Sequence, residues 1–129
     1  MIKAENTDLN WSETRLQQEI VLWYNNTYKN KRKLFFAVPN GGHRNAFEGA
    51  ILKSEGVIRG VSDMILAVAG GPYFIELKKP DGSNNQSDEQ KEFQKQIENE
   101  GFIYVLKNDI EDLKKFIINA MSISDEILL

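Results

Sequence analysis

Gly60-Val61-Ser62-Asp63-Met64-Ile65-Leu66-Ala67-Val68-Ala69-Gly70-Gly71-Pro72-Tyr73-Phe74-Ile75-Glu76-Leu77-Lys78-Lys79 decides how this chain folds. Met64 to Ala69 and Tyr73 to Leu77 are short apolar runs of strand length, and Gly70-Gly71-Pro72 between them is turn punctuation. Two adjacent antiparallel strands are therefore predicted. Side chains alternate faces along a strand, so Phe74, Glu76 and Lys78 share one face while Ile75 and Leu77 take the other. Asp63 stands where the first strand begins, and pairing across the turn returns that end of the hairpin to Glu76 and Lys78. Two carboxylates and an ammonium converge there.

Charge brought into a sheet is costly unless it is paired or holds a metal. Mg²⁺ takes oxygen ligands, keeps several waters and commonly uses one or two protein carboxylates. Asp63 and Glu76 meet that requirement, with the backbone carbonyl of Leu77 as a further oxygen, and Mn²⁺ is the alternative ion. Lys78 is then placed to hold an attacking water or steady charge on a scissile phosphate. The chemistry implied is metal-assisted phosphodiester hydrolysis. The competing reading of the same three residues is a set of solvated charges at a strand edge.

Composition narrows the classes. The 129 residues include no cysteine and one histidine, which excludes disulfides and thiolate metal sites and leaves oxygen ligands. The length fits a single domain over 1–129, with a polar arm at 1–11 that is ordered only on contact. Met1 to Asn6 lacks the apolar centre of a signal peptide, and no run approaches the ~18 residues of a membrane span, so a cytoplasmic protein without membrane contact is expected. Net charge is −3, but residues 1–65 carry nine Lys/Arg against seven Asp/Glu, whereas residues 66–129 carry seven against twelve. The basic excess precedes the hairpin and suits a phosphodiester substrate.

Around the hairpin the elements read in order. Ser12 is an N-cap candidate, and Leu16, Ile20, Trp23 and Tyr24 recur at helical spacing, which predicts a helix from about 12 to 28. Glu13 falls in its first turn, where an acid also complements the helix dipole; Glu19 is a second acid on this helix. Asn25 to Lys33 reads as a basic loop. Leu34 to Val38, closed by Pro39, is a strand. Asn40, Gly41, Gly42, His43 and Arg44 form a loop whose amides and side chains suit an anion, and Arg59 and Lys79 flank the hairpin as further phosphate contacts. Ala46 to Glu55 is a short helix with Phe47, Ile51 and Leu52 on one side.

Pro80-Asp81-Gly82 is a turn, followed by the polar loop Ser83-Asn84-Asn85-Gln86. Ser87-Asp88-Glu89-Gln90 is a capping box opening a helix to Gly101, which is a sufficient reason for Gln90. Phe102 to Lys107 is a last strand, and Asn108 or Asp109 caps a final helix with Ile110, Leu113, Phe116, Ile117 and Met121 along one face. Ile123, Ile127, Leu128 and Leu129 leave apolar surface suited to a subunit contact. The sum is an α/β fold with a mixed sheet flanked by helices.

Taken together, Glu13, Pro39-Asn40-Gly41-Gly42, Gly56-Val57-Ile58-Arg59-Gly60-Val61-Ser62-Asp63, Glu76-Leu77-Lys78, and Gln90 followed by Gly101 give a chain that resembles the virus-type replication-repair nuclease (VRR-NUC) domain of the PD-(D/E)xK superfamily. The resemblance implies a restriction-endonuclease-like core with the site at one sheet edge. It implies metal binding by Asp63 and Glu76, assistance to the nucleophile by Lys78, and Glu13 and Gln90 bordering the site. Ser62 departs from the proline in the motif's name, at a position that supplies no ligand. It further implies a Mg²⁺- or Mn²⁺-dependent endodeoxyribonuclease on branched DNA such as Holliday junctions, working as a homodimer. Two rivals stand beside it: a non-catalytic nucleic-acid-binding or protein-interaction module of the same fold, and a hydrolase of small phosphate esters.

Overall fold

Four N-caps set where the helices of this protein begin. In the computed structural model, which describes residues 8–39 and 45–129, Ser12, Asn45, Ser87 and Asp109 each accept a backbone hydrogen bond from three residues on. They open α1 (Glu13–Thr27), α2 (Ala46–Ser54), α3 (Asp88–Asn99) and α4 (Ile110–Ile127). Satisfying one orphan N–H at each start is what these residue types do best. The phosphate-contact loop expected at Asn40 to Arg44 lies outside the described residues, as do the first seven residues of the arm. The rest of the arm is structured: residues 8–10 form a 3₁₀ turn, Trp11 packs against the core, and the Arg15 guanidinium lies 4.8 Å from the centre of its ring.

The strands are β1 (Phe35–Ala37), β2 (Met64–Leu66), β3 (Tyr73–Leu77) and β4 (Ile103–Lys107), in spatial order β1-β2-β3-β4. The expected hairpin is present: β2 and β3 pair antiparallel, with Ile65 opposite Phe74, although β2 is shorter than the apolar run that suggested it. β1 adds antiparallel to β2, and β4 adds parallel to β3, with Phe74 beside Tyr104. A parallel pair needs a long crossover, and α3 provides it.

Period two then sorts the sheet into two faces. On one, Met64, Leu66, Ile75 and Leu77 are buried against Leu16, Ile20 and Tyr24 of α1 and Leu113 and Ile117 of α4. Burying such side chains contributes roughly 1.5–3 kcal/mol each and fixes the register, since a one-residue slip would turn them outward. On the other face, Phe93 of α3 meets Phe74 and Tyr104 with ring centres 5.9 and 6.0 Å away. Glu76 lies on that second face, under α3.

Two local expectations need correction. The tract read as a basic loop forms 3₁₀ turns over Lys29–Leu34, kinked at Lys31. Aromatic residues hold it down: Tyr28 meets Trp23 edge-on and lies tilted against Tyr24, and the Tyr24 hydroxyl donates to the Lys31 carbonyl at 2.7 Å. The helix at α2 forms as expected, but it buries no residue, and Phe47 stays 73% exposed. No helix among the described residues is long and apolar enough to cross a membrane.

Candidate metal centre

Glu76 is the centre of the site because it is fully buried and charged. Its two oxygens have different surroundings. Oε1 accepts from the Tyr104 hydroxyl and, at 3.0 Å, from the Gln86 amide. Oε2 accepts no hydrogen bond among the described residues. Lys78 Nζ lies 2.9 Å from Oε2, so charge pairs the two without the alignment of a hydrogen bond. Lys78 instead donates to Gln90 Oε1 at 3.0 Å and to the Asn85 carbonyl at 3.2 Å, and it is only 12% exposed.

Asp63 reaches this group from the start of β2. Its Oδ2 accepts from the Leu77 N–H at 2.7 Å, which ties the two ends of the hairpin together. Burial pushes the Asp63 carboxyl above the usual carboxylate range; the Leu77 N–H opposes this, the charges of Glu13 and Glu76 push it higher, and Lys78 draws it down. Glu13, in the first turn of α1, is therefore close enough to Asp63 to act on its charge. It also accepts from the Asn84 amide. Glu19, the other acid of α1, is tied to Arg15 at 2.8 Å.

Gln90 had two competing explanations, and one atom meets both. Its Oε1 accepts from Ser87 N–H at 2.8 Å, completing the capping box, and from Lys78 Nζ. The structure thus brings together Glu13, Asp63, Glu76, Lys78, Gln90 and the Leu77 backbone. Arg59 and Lys79 are exposed, the Lys79 N–H being held by Asn84 Oδ1 at 2.9 Å.

Gly60 decides how closely the Asp63 strand approaches α3. It sits at φ +82°, and a Cβ there would fall 2.5 Å from the Glu89 carbonyl carbon and 2.8 Å from Gln90 N. Gly60→Ala combines left-handed strain with a backbone clash that no rotamer relieves. We expect it to cost about 2 kcal/mol or more, read as a lower Tm in thermal denaturation.

Sequence reasoning missed Tyr104, Asn84 and Gln86. The Tyr104 hydroxyl pKa is pushed far up, first by burial and then by the Glu76 carboxylate, so the phenol remains a donor at any working pH. Tyr104→Phe removes a hydrogen bond to a buried charge and is expected to lower stability by about 2 kcal/mol in denaturant titration. The signal for Tyr104 was its place on a strand; its partner needed the β3–β4 register.

A buried carboxylate oxygen that takes no hydrogen bond among the described residues, beside a second carboxylate, is the donor chemistry that a hard divalent cation takes. Among the described residues no three His, Cys, Asp or Glu side chains form a cage by themselves. The site fits an ion that keeps much of its water, as Mg²⁺ does.

A solved structure described as a VRR_NUC domain protein matches this one with a TM-score of 0.71 at 23% sequence identity, over 85% of this chain and 88% of that chain. The restriction-endonuclease-like α/β fold read from the sequence is the fold that the two share. No family model and no curated protein matches the chain.

Proposed function

We propose, from the fold that it shares with a VRR-NUC domain protein, that this chain is a metal-dependent DNA nuclease. The observation that carries the reading is Glu76: a fully buried carboxylate whose Oε1 takes two donors while Oε2 takes no hydrogen bond among the described residues, with Asp63 and Lys78 beside it. Asp63 and Glu76 would hold Mg²⁺ or Mn²⁺, with the Leu77 carbonyl as a third protein oxygen. When bound, the ion would polarise a phosphoryl oxygen and acidify water.

The chain's own residues do the remainder. Lys78, fixed by Gln90 and Asn85, presents Nζ where it can hold the attacking water against the phosphate. Glu13 borders the site through its charge on Asp63. The exposed Arg59 and Lys79, with Asn40 to Arg44, meet substrate phosphates. Branched DNA such as a Holliday junction is the substrate we favour, and two coordinated cuts across its symmetry call for a homodimer.

The test is cleavage of labelled linear, flapped and four-way-junction DNA with Mg²⁺, Mn²⁺ or EDTA, the wild type beside Asp63→Asn. Metal-dependent cutting that the substitution removes is expected, and paired symmetric nicks on the junction alone would identify a dimeric resolvase. Binding without cutting in every metal would overturn catalysis and leave a DNA-binding module.

A further inference from the structure

Three consecutive loop residues each touch a different side chain of the site. Asn84 Nδ2 donates to Glu13, while its Oδ1 accepts from the Lys79 N–H. The Asn85 carbonyl accepts from Lys78 Nζ at 3.2 Å. Gln86 Nε2 donates to Glu76 Oε1 at 3.0 Å and to Gln94 Oε1 of α3 at 2.8 Å. A solvated loop after the Pro80-Asp81-Gly82 turn would account for the polar composition. It would not account for three successive residues on three separate members of one site.

We propose that Asn84, Asn85 and Gln86 form a positioning strap that sets Glu13, Lys78 and Glu76 and directs its Gln86 amide to Oε1 of Glu76, leaving Oε2, which faces Lys78, as the oxygen that a metal would share with that ammonium. The proposal rests on the metal reading above. Its chemistry explains the residue types. A side-chain amide donates to a carboxylate without neutralising it, so Glu13 and Glu76 are held in place with their charge intact for a cation. An aspartate at 84 would repel Glu13, and a lysine at 86 would compete with the metal for Glu76. Gln86 and Tyr104 together occupy Oε1, which orients the carboxylate with Oε2 toward Lys78. Outer hydrogen bonds of this kind set ligand orientation, and losing them typically costs 10- to 100-fold in metal affinity.

Register, more than loop length, is what the strap requires, and a pair of insertions separates the two. One glycine placed between Asn85 and Gln86 divides the strap without deleting a side chain. One glycine placed between Gly82 and Ser83 lengthens the same loop and leaves Asn84 to Gln86 contiguous. Lengthening a surface loop costs little by itself. Mn²⁺ affinity of the full chain, measured by calorimetric titration alongside Tm, is the readout and needs no turnover. We expect the first insertion to weaken Mn²⁺ binding by about 10- to 100-fold, and the second to stay within about twofold of wild type. Gln86→Leu is the check should the first insertion lower Tm, and it is expected to weaken Mn²⁺ binding by about tenfold or more. Wild-type affinity after the 85/86 insertion, or equal losses from both insertions, would overturn the strap. A wild type that takes up no Mn²⁺ would overturn the metal reading itself, and the strap with it.

Discussion

Asp63→Asn is expected to reduce metal-dependent DNA cutting by at least about a thousandfold, the scale of the several kcal/mol that a bound metal supplies in a transition state. The same substitution should raise the Tm of the metal-free protein. Asparagine retains an oxygen that can accept from the Leu77 N–H, so the tie across the hairpin survives. What disappears is a desolvated charge facing Glu13 and Glu76. Because the folded-state pKa of Asp63 is raised, the folded chain binds this proton more tightly than the unfolded chain does. The corresponding stability is fully present below the ordinary value of 3.8 and is lost as pH rises through the higher folded value. Above that folded value the wild type carries the whole penalty and the asparagine variant none, so the gap in Tm should close as the solution is acidified. Thermal scans at several pH values with and without Mn²⁺ check this: the ion should raise the wild-type Tm and leave that of the variant unmoved.

Lys78→Met should damage both activity and stability. Glu76 is fully buried, and Lys78 is the cation at its Oε2. Removing one partner of a buried pair leaves the other charge uncompensated, at a cost of about 3–5 kcal/mol. Tyr104 and Gln86 still donate to Oε1, which favours the lower end, near about 3 kcal/mol. The double variant Lys78→Met/Glu76→Gln should recover most of that loss without recovering cutting, as measured by denaturant titration beside the cleavage assay. Equal instability in single and double variants would show that the lysine acts through packing of its stem and contacts to Gln90 and Asn85, with little contribution from its charge.

The fold was legible wherever the cause was local. Ser12, Ser87 and Asp109 sit beside the apolar or capping-box patterns that they introduce, and Gly70-Gly71-Pro72 separates two runs that can only pair back to back. The same hairpin logic brought Asp63 to Glu76 and Lys78, because antiparallel register follows from the turn. The illegible part depends on distance along the chain. Tyr104 meets Glu76 only through a parallel register set by the α3 crossover, 28 positions away. Asn84 meets Glu13 across 71 positions, from a loop whose polar composition reads equally well as solvated. The 3₁₀ segment escaped notice because its charges dominate the sequence, while Tyr24 and Tyr28, which hold it, belong to the neighbouring helix and its cap.

One carbonyl oxygen, Oε1 of Gln90, ends the backbone of a helix and also receives the ammonium of Lys78. Fraying of that turn and release of the Lys78 ammonium are therefore one event at this place. Warming that loosens the first turn of α3 would loosen the hold on Lys78 with it. A change intended only to lengthen or shorten α3 would alter the site as surely as a change to Lys78 itself.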